Sequence, residues 1–324
     1  MTTYKGLRGL TIRTVAGDPS NNVSGQVWYN SSSRALKAFK AGDGNWASGG
    51  TLNLAREAMG GAGTQTAAIM FGGAPFKDEA EQYDGTTWAE VGDLNTGRPS
   101  LASAGTSTAA LGFGGGKSGS PDTQATTEEW DNSSWTEVGD LNRARKSIAG
   151  SGTVNTAALA FGGNPATDST ELWNGTSWTE VNALNTARSA LTGCGTTTAT
   201  VAFGGEAAPR LDALTEKYDG TSWTEVADLN TARKSLASFG TSTAAIGAAG
   251  NIVSGAVRVS LVESWNGTAW TEVNNTLAAK DGINNANAGT TAAGLIAGGY
   301  ATASLATSEE WNDPFEETVT LTSS

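Results

Sequence analysis

The sequence predicts an all-β protein: a six-bladed β-propeller preceded by a small β-hairpin module. Three observations carry this. One phrase recurs in six units: small residues, Thr-Ala-Ala and a hydrophobic residue, a Gly pair, a variable stretch, Glu-x-aromatic, an Asn/Asp-Gly turn, then Trp-Thr-Glu-Val. Its Trp returns at Trp88, Trp135, Trp178, Trp223 and Trp270, in steps of 47, 43, 45 and 47 residues. Each unit also holds four short strand-like segments. A period of this length belongs to propellers and solenoids, and four antiparallel strands per unit make a propeller blade.

The third unit shows each strand. Its innermost segment, Ser147 to Thr153, is built of small residues, as are Ser100 to Thr106, Ala190 to Thr196 and Ser235 to Thr241. Innermost strands converge near a propeller axis, where large side chains collide. Phe239 breaks this pattern. The next strand, Thr156 to Phe161, is an apolar run suited to burial between blades and ends at Gly162-Gly163. The Gly pair recurs at 72–73, 114–115, 204–205 and 298–299, with Ala249-Gly250 in the fifth unit. Glycine there permits positive φ and close backbone approach. The third strand carries Glu171 and Trp173, whose i, i+2 spacing places both on one face. Relatives of Glu171 are Glu81, Glu128, Glu216, Glu263 and Glu309. Asn174-Gly175 and its counterparts Asp84-Gly85, Asp219-Gly220 and Asn266-Gly267 supply the hairpin turn before the outer strand.

The Gly pair, the Glu-x-Tyr-Asp element and the following Trp resemble the kelch motif over about Leu52 to Val319. The sixth unit departs at Asn312-Asp313-Pro314-Phe315, with Phe in place of the outer Trp. Trp46 precedes Arg56 by ten residues, as Trp88 precedes Arg98, so Asn45 to Gly49 is phased as an outer strand and is expected to complete the sixth blade. Glu316 to Leu321 competes for that place, and seven blades with one partial is the alternative. The division expected is 1–44 for an attachment module and 45–324 for the propeller.

In the head, Gln26 to Asn30 and Arg34 to Phe39 flank Ser31-Ser32-Ser33 and read as a hairpin. The head resembles the opening of marine bacteriophage structural proteins. The residues concerned are Tyr4-Lys5-Gly6-Leu7-Arg8-Gly9, Asp18-Pro19 and Gly25-Gln26-Val27-Trp28-Tyr29-Asn30. Those proteins join such a head to kelch-like repeats with Gly-Thr-x-Thr-Ala-Ala phrases, as at Gly63 to Ala68, and end in a Thr/Val/Ser tail, as at Thr318 to Ser324. The resemblance implies a virion protein, made in the host cytoplasm and present in several copies per particle. It would be associated with the tail or a tail fibre and held to other virion proteins through its head.

Composition narrows the chemistry. The net charge of −12 argues against a nucleic-acid surface. No apolar run approaches a membrane span of about 20 residues, and the first ten residues lack a signal-peptide core. The chain has one cysteine, Cys194, and no histidine. Histidine-based triads and histidine metal sites are therefore absent, among them the copper site of galactose oxidase, which shares the kelch architecture. Cys194 aligns with small inner-strand residues and reads as packing. Glu128-Glu129 and Glu309-Glu310 are sequence neighbours on opposite strand faces, so neither is a glycosidase dyad. No cofactor is expected.

Arg56, Arg98, Arg145, Arg188 and Arg233 each follow an outer-strand Trp by ten residues, and the sixth boundary reads Ala279-Lys280-Asp281. A ring of arginines could bind anions, but recurrence in nearly every unit favours Arg–Glu pairs that tie adjacent blades. The stretches between Gly pair and Glu hold 7, 12, 7, 10, 12 and 9 residues and emerge on one face. Loops on a rigid scaffold carry recognition. The candidate partner-binding residues are Lys77, Asp78, Lys117, Asp122, Arg210, Asp212, Arg258 and Tyr300. The expected function is non-enzymatic: propeller loops that bind a host-surface glycan or protein. The alternatives are a decorating protein of capsid, neck or tail, and, from another class, a carbohydrate-active enzyme.

Overall fold

The computed structural model describes residues 12–17, 26–40, 44–207, 210–252, 257–283, 285, 287–313 and 317–320. The motif residues Tyr4 to Gly9, Asp18-Pro19, Gly25, Pro314-Phe315 and the tail from residue 321 lie outside them. The chain forms two compact units, one of residues 45–312 and one of residues 1–44 with 313–324.

The larger unit is all-β and consists of four-stranded antiparallel sheets of the kind found in β-propellers. Each repeat makes one sheet in simple up-and-down order. In the third, Ala149–Val154, Ala157–Phe161, Thr170–Trp173 and Trp178–Val181 pair in sequence. The sixth sheet takes Asn287–Gly289, Ala293–Ala297 and Ser308–Asn312 from its own repeat, and its outer strand is Asn45–Ser48. Trp311 faces Trp46 in that register. Of the two competing segments, the phased one therefore occupies the place. Glu317–Thr320 pairs instead with Ala35–Lys40 in the smaller unit, so the repeat unit ends at Asn312 and not at Ser324.

Innermost strands of successive repeats lie side by side, and that of the sixth lies beside that of the first. Their start is two residues later than the sequence suggested. Ala58, Ser100, Ser147, Ala190 and Ser235 adopt φ of 50–59°, and Gly282 one of 68°, which bends each connector before the strand begins. The bend serves a belt of backbone bonds. Ser100 N–H donates to Ala58 O at 2.7 Å, Ser147 to Ser100, Ala190 to Ser147 and Ser235 to Ala190 at 2.9 Å, and Ala58 to Gly282 O at 2.8 Å. The remaining link, Ile283 N–H to Ser235 O, is 3.5 Å.

Large side chains fill the wedges between sheets. Phe71, Phe113, Phe161 and Phe203 end the second strands and pack on Trp135, Trp178, Trp223 and Trp270 of the next repeat, with centroids 4.5–5.2 Å apart. The fifth repeat has Ala248 where a Phe would stand. Phe239, from its innermost strand, takes the role and meets Trp46 at 6.1 Å. Room comes from Gly294, where a Cβ would sit 2.3 Å from the Phe239 ring. The exception in the sequence is thus volume moved from one strand to its neighbour.

In the smaller unit, Arg13–Val15 runs parallel to Val27–Asn30, which pairs antiparallel with Ala35–Lys40. Asn30 Oδ1 accepts the N–H groups of Ser32 and Ser33 and so shapes the predicted turn.

Candidate functional site

The recurring polar residues form a buried lock in each repeat. In the first, Arg56 Nη2 donates to Glu81 Oε1 at 2.8 Å, and its Nη1 donates to Gly72 O at 3.1 Å and to Glu79 O. The other carboxylate oxygen of Glu81 accepts Asn53 N–H at 2.7 Å and Asn53 Nδ2 at 2.9 Å. Asn53 Nδ2 also donates to Trp88 O. The same contacts recur with Asn142, Arg145 and Glu171, with Asn185, Arg188 and Glu216, and with Asn230, Arg233 and Glu263. Arg98 pairs with Glu128, which also holds Asn95. All five arginines are fully buried. Burial pushes each guanidinium below its ordinary value, and the paired Glu opposes that shift. Both oxygens of each carboxylate are bonded, but the buried Nε of all five arginines has no partner, so the pair offsets its desolvation only in part.

The lock joins the connector to its own sheet, while the main chain of the same Arg reaches the preceding one. The N–H of Gly73 donates to Arg98 O at 3.0 Å, and Gly115, Gly163, Gly205 and Gly299 repeat this with Arg145, Arg188, Arg233 and Arg56. The first glycine of each pair lies against that same carbonyl. A Cβ on Gly162 would be 2.7 Å from Arg188 O at φ +64°. The Asn three residues before each Arg was missed in the sequence, although Asn53, Asn95, Asn142, Asn185 and Asn230 recur in register. In the sixth lock Leu277 and Lys280 replace Asn and Arg, and Lys280 Nζ meets Glu309 at 2.5 Å.

The eight loop residues are placed as follows. Lys77 pairs with Glu79 at 3.3 Å, and Asp78 is exposed beside it. Lys117 is exposed, and Asp122 pairs with Lys146 of the following connector. Arg210, exposed, meets buried Asp212 at 3.3 Å. Arg258 pairs with Asp281 at 2.9 Å and lies over the Tyr300 ring at 4.5 Å. Asn251 Nδ2 donates to the other oxygen of Asp281. Arg258 and Tyr300 thus come together across two loops, and Arg210 and Asp212 within one. The others stand apart; Asp122 and Arg258 anchor their loops to a connector, whereas Lys77, Arg210 and Asp212 pair within their own loops. Lys234, which follows Arg233, likewise pairs with Glu206 at 2.5 Å. Glu57, facing Asp281, has its carboxyl raised first by burial and then by that carboxylate.

A recess lies at the other ends of the inner strands, away from these loops. It has a volume of about 400 Å³ and is lined by the Gly-Thr ends of five inner strands and by Gly195 of the fourth repeat, with Cys194, Phe239 and Asn285. Burial pushes the Cys194 thiol up to about 12, so it is neutral and a poor nucleophile. Among the described residues no group of three or more His, Cys, Asp or Glu converges on one point, and no helix is long and apolar enough to cross a membrane.

No protein family and no curated protein matches the sequence. Solved structures do match. The structure of YjhT, a propeller-like fold, superposes with a TM-score of 0.68 over 80% of this chain and 95% of that one, at 12% identity. Likeness at that identity defines the class, an all-β protein of β-propeller type, and carries no activity with it.

Proposed function

We propose that the six repeat sheets are the blades of one closed ring, and that the ring is a non-enzymatic binding scaffold of a phage virion. The belt of backbone bonds that returns from Gly282 to Ala58 supports closure at six. One observation supports the functional reading above the rest: the recurring polar side chains are absorbed in buried locks. The unequal loops after the Gly pairs are then the asymmetric surface left for recognition. The head resemblance points to a tail or tail-fibre position, with a host-surface glycan or protein as the loops' partner. Asp78 and Lys117 are the exposed charged loop residues among the eight that make no ion pair, and so the ones free to meet it. Charge reversal at both should lower adsorption of particles to host cells with an unchanged melting temperature. Unchanged adsorption, with this face buried against another virion protein in a particle map, would overturn host binding in favour of a decorating role.

A further inference from the structure

The sixth repeat carries an extra length of chain where the others agree. Gly63, Gly105, Gly152, Gly195 and Gly240 each stand seven positions after the lock arginine, whereas Gly289 stands nine after Lys280. Asn285 lies in this longer connector. Its Nδ2 donates to Leu101 O at 3.0 Å and to Ile148 O at 2.9 Å. Those carbonyls belong to the second and third repeats, so the side chain of a sixth-repeat residue crosses the middle of the unit. Asn285 lines the 400 Å³ recess, a funnel between the inner strands.

Two carbonyl acceptors fix which end of the Asn285 amide is nitrogen, since an oxygen could donate to neither. The oxygen Oδ1 has no partner among the described residues, yet Asn285 is only 6% exposed. Oδ1 is not sealed among protein atoms, so it is open to a donor that enters the recess Asn285 lines. From this geometry we infer that the funnel binds a neutral polyhydroxylated ligand, a terminal uncharged sugar residue, with a ligand hydroxyl donating to Asn285 Oδ1.

The lining selects that class. It contains no charged side chain, so an ionic ligand would lose hydration with no counter-charge. A purely apolar ligand would seal Asn285 Oδ1 away from any donor. The walls are alanines, glycines, the serines Ser103, Ser107, Ser151 and Ser238, the Cys194 thiol and one ring, Phe239, so apolar surface for the C–H faces of a sugar alternates with hydroxyls. The mouth carries a threonine from each of five repeats, Thr64, Thr106, Thr153, Thr241 and Thr290, each hydroxyl able to donate or accept. A volume of 400 Å³ falls within the range of small-molecule sites, about 300–1,000 Å³. The mouth opens where inner strands turn into second strands. The recognition loops leave from the opposite strand ends, so this site and the loop surface can fail independently.

The test is saturation-transfer NMR on the full chain with D-glucose, D-galactose and D-mannose, and with D-glucuronate as the charged control. At least one neutral hexose should give a saturable signal at millimolar concentration, and glucuronate none. Asn285→Leu should weaken the hexose at least tenfold. That variant also removes two hydrogen bonds, so Thr153→Trp serves as the second. Thr153 is exposed, lines the mouth and makes no side-chain bond, so a bulky ring there should block entry without altering the melting temperature. No saturable hexose signal, glucuronate binding as tightly, or hexose binding that survives Thr153→Trp would each overturn the assignment.

Discussion

Trp135 is a buried outer-strand tryptophan whose indole N–H finds no acceptor. Its counterparts Trp178, Trp223 and Trp270 donate to Thr127, Thr170 and Thr215 of the preceding repeat. The matching residue in the first repeat is Ala80. Ala80→Thr should therefore add the missing acceptor and raise stability by about 1 kcal/mol, read as a higher urea midpoint at constant m-value. A lower midpoint would show that the site lacks room for the hydroxyl. At this scale the sequence was legible where a residue type is unusual and opaque where it is common. The Glu and Arg of the lock stood out by charge. Asn53 and its counterparts did not, because asparagine in a connector also reads as turn chemistry. Its role depends on a carboxylate roughly 30 positions away that burial deprives of water. Asn285 was hidden for the same reason, since nothing local marks an amide that bonds two distant repeats.

At the scale of elements, the sixth lock is the incomplete one. Lys280 reaches Glu309 alone, whereas Nη1 of Arg145, Arg188 and Arg233 also serves two carbonyls each. The double substitution Lys280→Arg with Leu277→Asn should restore these bonds and add roughly 2 kcal/mol, at about 0.5–1.5 per bond. Calorimetry would show this as a higher melting temperature, and no gain would mean that the sixth repeat does not limit stability. The hairpin turns behave differently under acid. Asp84, Asp131 and Asp219 accept backbone N–H bonds from Thr87, Ser134 and Ser222, which hold their carboxyls below the ordinary range. A depressed carboxyl contributes stability above its unfolded value, near pH 4, and loses it as pH falls through the folded one. Asn174 and Asn266 make the same turn without a charge. Replacing the three aspartates by Asn should move the acid-unfolding midpoint, followed by Trp fluorescence, to lower pH. A midpoint that stays put would assign acid sensitivity elsewhere. Strand identities and these turns could be read from alternation and Asx-Gly pairs. The displaced Phe239 could not, because the gap it fills is made by Ala248 on one sheet and Gly294 on the next.

For the whole molecule, the decisive feature is that the first strand of the repeat unit completes the last sheet. The phase of Trp46 against Arg56 revealed this in the sequence, because a ten-residue spacing repeated elsewhere leaves one place for it. The destination of the tail was not legible, since Glu317–Thr320 alternates like any strand and its partner Ala35–Lys40 has no repeat to set a register. Two truncations separate these contributions. A chain of residues 45–312 keeps every strand of the six repeat sheets, and it should unfold in one cooperative transition within a few degrees of the full protein. A chain of residues 49–312 lacks Asn45–Ser48. It leaves Ser308–Asn312 as an open edge and removes Trp46 from against Trp311 and Phe239. Loss of one buried Trp alone costs about 3–5 kcal/mol, and an unpaired apolar edge invites pairing between chains. Light scattering should therefore report association of the shorter chain at concentrations where 45–312 remains monomeric. If both chains were equally monomeric and stable, the repeat unit would be held by the inner belt of backbone bonds and not by the outer strand.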